Sequence, residues 1–255
     1  MKEISLLGRL PVMPLDLEQA SRTIAGRDPG ASFSYVVTTN AQILILAEDP
    51  SNGLRAAQDN AWMRLNDSRI LSRLHRWAMG ETVPLAAGSD LALTLLQRAI
   101  RPSDAITIIG GGAELVEALR EKYGLVNIAH HEPPMGYAGK PAAWQAAIEF
   151  VETHPARFVF VVTGAPRSER LMHALAERGR STGIGMAVGS GLLFAAGLTP
   201  RAPAWMRRNG IEWLHRAWTE PRRLGRRYVL DVVPLLRLAL RARLQRMARR
   251  GVVAP

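Results

Sequence analysis

Six short runs of β-branched and aromatic residues recur along the 255-residue chain, and most are followed by a stretch with helical periodicity. The runs are Tyr35–Thr38, Met63–Leu65, Ala105–Ile109, Val126–Ala129, Phe158–Val162 and Ile184–Val188, with helical stretches at Ala41–Glu48, Asp90–Ile100, Ala113–Tyr123, Ala142–Thr153 and Glu169–Arg178. Strands separated by helices of this length can pair only in parallel, because a helical crossover returns the chain to the same edge of the sheet. The expected fold is therefore α/β: a Rossmann-like parallel sheet flanked by helices. Ligands in such folds gather where strands end.

The strand exits are unusually polar and glycine-rich. They read Thr38-Thr39-Asn40, Asn66-Asp67-Ser68-Arg69, Gly110-Gly111-Gly112, Thr163-Gly164-Ala165-Pro166-Arg167-Ser168-Glu169 and Gly189-Ser190-Gly191. The triglycine lets backbone amides approach a ligand at the start of a helix, which suits phosphate. It lacks both the dinucleotide glycine spacing and the lysine of a P-loop, so a tight turn is its default reading. Asp67 could accept a proton from an attacking hydroxyl, although local sequence favours a cap for the next helix. Asp90 reads as the cap of the apolar helix beginning at Leu91.

Charge divides the chain in two. Residues 201–255 hold fourteen Arg against three acids (Glu212, Glu220 and Asp231), an excess of eleven that equals the net charge of the whole chain. The body before them is neutral. A neutral body with a cationic tail points to a catalytic domain (1–198) and an anion-seeking C-terminal appendage (199–255). A nucleic-acid binder would carry its charge across the body and interleave aromatic residues, so nucleic acid is not an expected partner. From Pro234 a helix is expected in which Leu236, Leu240, Leu244 and Met247 make an apolar stripe flanked by Arg237, Arg241, Arg243 and Arg246. That pattern fits a helix lying on an anionic membrane surface, and equally one docked on the domain or on another subunit.

Several classes are set aside. The chain has no cysteine, which removes disulfides, thiolate metal sites and a cysteine nucleophile. No run approaches the ~20 apolar residues of a membrane span, and the first residues lack the profile of a secretory signal, so a peripheral protein at the cytoplasmic face is expected. His130-His131-Glu132 is a poor metal fragment, because neighbouring strand residues face opposite ways. No metal or cofactor is expected. With no D-x-D motif to hold a metal-bound diphosphate, fixed cations would have to serve, and the tail offers Arg207, Arg208, Arg216, Arg222, Arg223, Arg226 and Arg227.

Taken together, these segments resemble the WecG/TagA/CpsF glycosyltransferases over roughly residues 33–230. The tail carries the most specific match: Arg201-Ala202-Pro203-Ala204-Trp205-Met206-Arg207-Arg208, then Gly210-Ile211-Glu212-Trp213-Leu214-His215-Arg216, Glu220-Pro221-Arg222-Arg223-Leu224 and Arg226-Arg227-Tyr228. VVTTNAQIL (36–44), NDSRIL (66–71), GSDL (88–91), IIGGG (108–112) and GAPRSE (164–169) support it, and HHEPPMGY (130–137) looks like the exopolysaccharide branch. The resemblance implies an inverting, metal-independent enzyme that uses a UDP-sugar donor and a polyprenyl-diphosphate-linked saccharide acceptor. It assigns the base to Asp67, reversing the local reading. It places Thr38 and Asn40 near the donor, together with the Gly110–Gly112 loop and Gly164, Ser168 and Glu169. It also implies that the appendage meets the membrane and closes the site with arginines.

Three positions depart from the family pattern. Ser168 stands for a common Gln, Leu192-Leu193 for Phe-Asp, and Leu85 for an Arg. Each loss removes a polar group, so the sugar is left open, as is association into a homo-oligomer. A catalytically impaired scaffold in a polysaccharide-assembly complex is the alternative function.

Overall fold

The computed structural model describes residues 2–203, 205–206, 209–219 and 226–251. Six parallel strands form the sheet: β3 (Ser34–Thr39), β4 (Met63–Asn66), β5 (Ile106–Ile109), β6 (Ile128–His131), β7 (Phe158–Val161) and β8 (Ile184–Met186), in the order β4-β3-β8-β7-β5-β6. A hairpin, β1 (Ile4–Leu6) and β2 (Leu10–Val12), joins the β4 edge through the Met13 amide on the Arg64 carbonyl at 2.8 Å. The expected α/β sheet is present, and all six expected strands are in it.

Strand residues alternate between two apolar layers. Val36, Ile106, Ile108, Phe158 and Phe160 face α1 (Leu17–Ala25), α5 (Gly88–Arg98), α6 (Ala113–Tyr123) and α9 (Gly191–Ala196). Tyr35, Val37, Ile109, Val159 and Val161 face α7 (Pro141–Thr153) and α8 (Arg167–Arg178). Both sheet faces are covered, which is why the strands read as continuous apolar runs. A third cluster unites the hairpin, α2 (Ala41–Leu46), α3 (Leu54–Asp59), α4 (Arg69–Met79) and the long C-terminal helix α11 (Arg226–Gly251). A shorter helix, α10 (Glu212–Thr219), precedes α11.

Three expectations shift, the first being that α11 begins at Arg226, ahead of the expected start at Pro234, which lies inside it. β6 starts two residues later than its β-branched run predicts. Val126 is exposed, its amide bonds the Pro102 carbonyl at 3.1 Å, and the ladder to β5 begins at Ile106–Ile128. At a sheet edge the neighbouring strand's register outweighs local propensity. Asp90 is not a cap: α5 begins at Gly88, and Asp90 lies in its first turn.

The docked-helix reading holds for one side of the C-terminal helix. Leu235, Leu238, Ala239 and Ala242 are buried against α4 and α2. Leu236, Leu240, Leu244 and Met247 are each at least half exposed, at 53%, 50%, 55% and 58%. Arg243 lies over Trp77 of α4, 4.5 Å from the ring centroid.

His75 of α4 ties this cluster to the hairpin. Its Nδ1 accepts the Leu7 amide at 3.1 Å, and its Nε2 faces Glu81 at 3.1 Å. An accepting Nδ1 requires the neutral ring, and burial pulls its pKa down against the upward pull of Glu81. The unfolded chain therefore takes up a proton near pH ~6.5 that the folded chain refuses. The contribution of His75 to thermal stability should be full above that pH and fall as pH drops through it. His75→Gln, which keeps an acceptor and a donor, should flatten the melting profile over the same window.

Candidate functional site

Two crevices open at the carboxyl ends of the strands. β5 continues into α6 on one face of the sheet while its neighbour β7 continues into α8 on the other, so their exits diverge. β8 likewise turns to α9, opposite the side where α3 packs on α8. Divergent exits of this kind are where open α/β sheets hold ligands.

At the first crevice the triglycine meets the loop after β7. Gly110, Gly111 and Gly112 have φ of 84°, 91° and 79°, a run in the left-handed region that other residues rarely adopt. A Cβ on Gly110 would stand 3.0 Å from Thr163 Cγ2. The amide of Gly112, at the N-terminus of α6, donates to Glu132 Oε2 at 2.7 Å. The chain's own carboxylate thus occupies the place where a helix N-terminus attracts anions, and a diphosphate there would compete with Glu132. His130 Nε2 approaches the Gly110 carbonyl at 3.3 Å, while His131 stacks on Phe150. The two rings do not converge, and no group of three metal-capable side chains forms among the described residues.

Gly164 also has a positive φ, 79°. Ser168 is buried, and its hydroxyl lies 3.2 Å from that of Thr163, which in turn lies 3.0 Å from the Tyr137 hydroxyl. This three-hydroxyl chain holds the first turn of α8 against the loop after β6. Glu169 is 3% exposed and its Oε2 has no partner. Burial pushes its pKa up to about 7, so near neutrality it is substantially the neutral acid and can donate as well as accept.

The second crevice contains Thr38, Asn40 and Asp67. Asn66 explains how the exit of β4 is shaped. Its amide donates to Ser72 Oγ at 2.7 Å and to the Pro84 carbonyl at 3.0 Å, and its Oδ1 accepts the Ser68 amide at 3.1 Å. Ser68, not Asp67, caps α4 by accepting the Leu71 amide at 3.2 Å. Asp67 reaches instead across the crevice, where Oδ1 accepts the Gly88 amide at 2.8 Å at the start of α5. The local capping expectation named the wrong helix. Thr38 lies beside this contact: its hydroxyl is 3.0 Å from where a Gly88 Cβ would be, and it donates to the Ala187 carbonyl at 3.5 Å. Asn40 caps α2 through the Ile43 amide at 3.1 Å.

The expected site residues thus fall into two neighbouring groups: Thr38, Asn40 and Asp67 in one, and Gly110–Gly112, Gly164, Ser168 and Glu169 in the other. Arg207, Arg208, Arg222 and Arg223 lie outside the described residues. Arg216 is on α10, and Arg226 and Arg227 are in the first turn of α11. Sequence reasoning missed the seat that Gly88 gives Asp67, the link from Arg201 to Ser89 and Asp90, and the Tyr137–Thr163 hydroxyl pair. The small residues before Leu91 were the available signal for the first.

A doubly covered parallel sheet with glycine-rich loops and a carboxylate at its strand exits defines an α/β protein of the open, doubly wound class. The chain matches the Glycosyl transferase WecG/TagA/CpsF family over residues 4–249. It belongs to that family and is a glycosyltransferase. N-acetylglucosaminyldiphosphoundecaprenol N-acetyl-beta-D-mannosaminyltransferases of Staphylococcus aureus, strains NCTC 8325 / PS 47 and COL, are 26% identical over 199 residues, covering 75% of this chain and 74% of theirs.

The Glu169 carboxyl sets a pH signature. Its folded pKa lies above the ordinary 4.5, so this carboxyl's own contribution to stability is full below about pH 4.5 and is lost as pH rises towards about 7, opposite in sign to that of His75. Glu169→Gln should be the more stable protein at pH 8, by about 3 kcal/mol at most. Urea midpoints measured from pH 5 to 8 should show that advantage shrinking towards pH 5.

Proposed function

We propose that this chain transfers a sugar from a UDP-sugar to a hydroxyl of a polyprenyl-diphosphate-linked saccharide in cell-surface polysaccharide assembly. The observation that carries the reading is Asp67, half-buried at a strand exit and oriented by the Gly88 amide beside Thr38. The reaction is a single displacement. Asp67 takes the proton of the acceptor hydroxyl, the hydroxyl oxygen bonds to the anomeric carbon from one face, and the bond to the UDP oxygen breaks on the other, inverting the centre. Thr38, Asn40 and the Gly110–Gly112 loop hold the donor with Gly164, Ser168 and Glu169. The leaving diphosphate is stabilised by the appendage arginines Arg207, Arg208, Arg216, Arg222, Arg223, Arg226 and Arg227 in place of a metal ion. The relatives' name, with its diphosphoundecaprenol acceptor, supports the acceptor class.

Asp67→Asn with purified donor and lipid acceptor should lower turnover by ~10²–10⁴-fold. Near-full turnover would remove Asp67 as the base. A second reading, a scaffold of impaired activity, draws on Ser168, whose buried hydroxyl is engaged by Thr163 rather than turned to a donor. Calorimetry against a panel of UDP-sugars separates the two: binding supports the enzyme and its absence the scaffold.

We also propose that residues 199–255 act as an appendage that works at an anionic membrane surface on the cytoplasmic side. No helix among the described residues is long and apolar enough to cross a membrane. The exposed stripe Leu236, Leu240, Leu244 and Met247, bordered by Arg237 and Arg241, suits a helix seated in the headgroup region. Replacing Leu236, Leu240 and Leu244 by Ser, with the docked side of α11 unchanged, should abolish co-sedimentation with anionic vesicles while leaving the fold intact by circular dichroism.

A further inference from the structure

The first turn of α5 is held from four sides. Asp67 accepts the Gly88 amide, and Thr38 packs against Gly88. Gly191, after β8, approaches so closely that a Cβ there would stand 2.8 Å from Ser89 Cα. The fourth contact comes from beyond the sheet domain. Arg201 Nη2 donates to Ser89 Oγ at 3.1 Å and is ion-paired with Asp90 Oδ1. Arg201 stands at the root of the C-terminal segment, next to the buried Ala202.

This contact is not that of an ordinary surface ion pair. The side chains of Arg201 and Asp90 are only 20% and 32% exposed. Arg201 Nε is buried with no acceptor, a cost that a link serving stability alone would avoid by leaving the donor in water. One guanidinium nitrogen, Nη2, serves both a hydroxyl and a carboxylate on one helical turn. That turn also carries the amide on which Asp67 rests.

We infer that Arg201 is a positioning residue: through Ser89 and Asp90 it couples the seating of the C-terminal segment to the orientation of the Asp67 carboxylate. The inference rests on the reading of Asp67 as the base. When the root of the segment is in place, the Gly88 amide is fixed and the carboxylate is aimed. When the root loosens, the turn and the carboxylate loosen with it. Departure of the appendage therefore weakens proton acceptance as well as leaving-group stabilisation.

The test uses the full-length enzyme with UDP-sugar and lipid acceptor. Arg201→Ala and Asp90→Ala should each lower kcat by ~10–10²-fold with less than threefold change in donor KM, and the acidic limb of the kcat–pH profile should move. The double variant should lose no more than the worse single one, because both break the same link. Arg201→Lys should recover part of the loss. Hydrogen exchange in the peptide containing Gly88 should quicken in Arg201→Ala. Asp90→Asn and Arg201→Gln, which shorten or neutralise the link with little change of volume, carry the test if the alanine variants do not fold. Unchanged kcat, pH limb and Gly88 exchange in these variants overturn the inference, as do fully additive losses. Asp67→Asn measured alongside separates the two ideas: near-full turnover there removes the base assignment, whereas faster Gly88 exchange in Arg201→Ala sustains the link.

Discussion

Burial of both faces of a six-stranded parallel sheet is the constraint from which the rest of this molecule follows. With helices on either side, β5, β7 and β8 have no solvated face and consist almost wholly of apolar residues, and β3 is apolar over its middle before the buried Thr38 and Thr39 at its exit. Polar chemistry is thereby excluded from the body of the sheet and displaced to the strand exits, where chain reversal leaves backbone groups uncovered. Asp67, the triglycine and the loop from Gly164 to Glu169 all stand at those exits.

At the exits, several polar side chains fix the loops themselves. Asn66 and Ser68 use their hydrogen-bonding groups to fix the turn after β4, and this sends Asp67 across the crevice to α5. Ser168 and Thr163 hold the first turn of α8 against Tyr137. Glu132 and His130 buttress the glycine loop from the edge strand. The Asp67 carboxylate and the glycine loop are therefore held by neighbouring but separate networks. The proposed displacement uses that separation, because its nucleophile and leaving group lie on opposite sides of one carbon.

The C-terminal helix adds a second physical theme. It is apolar on more than one side: one side completes a core with α4, α2 and the hairpin, and the other presents leucines between arginines. A helix committed only to its domain would not keep such a stripe in water, since large exposed apolar patches mark contact surfaces.

Local order determined much of what could be read in advance. The alternation of apolar runs with helical periodicity fixed the class of sheet, and the positions of Asp67, Gly110–Gly112 and Gly164–Glu169 relative to those runs put them at strand ends. Charge counting separated the tail from the body. Tertiary structure alone decided the order of strands, the later start of β6, which helix Asp67 touches, and which side of the C-terminal helix is buried. It also brought together Arg201, Ser89, Asp90 and Gly191. Those choices depend on contacts between residues far apart in the chain, and neither propensity nor spacing encodes which distant partner completes a hydrogen bond or fills the space beside a glycine.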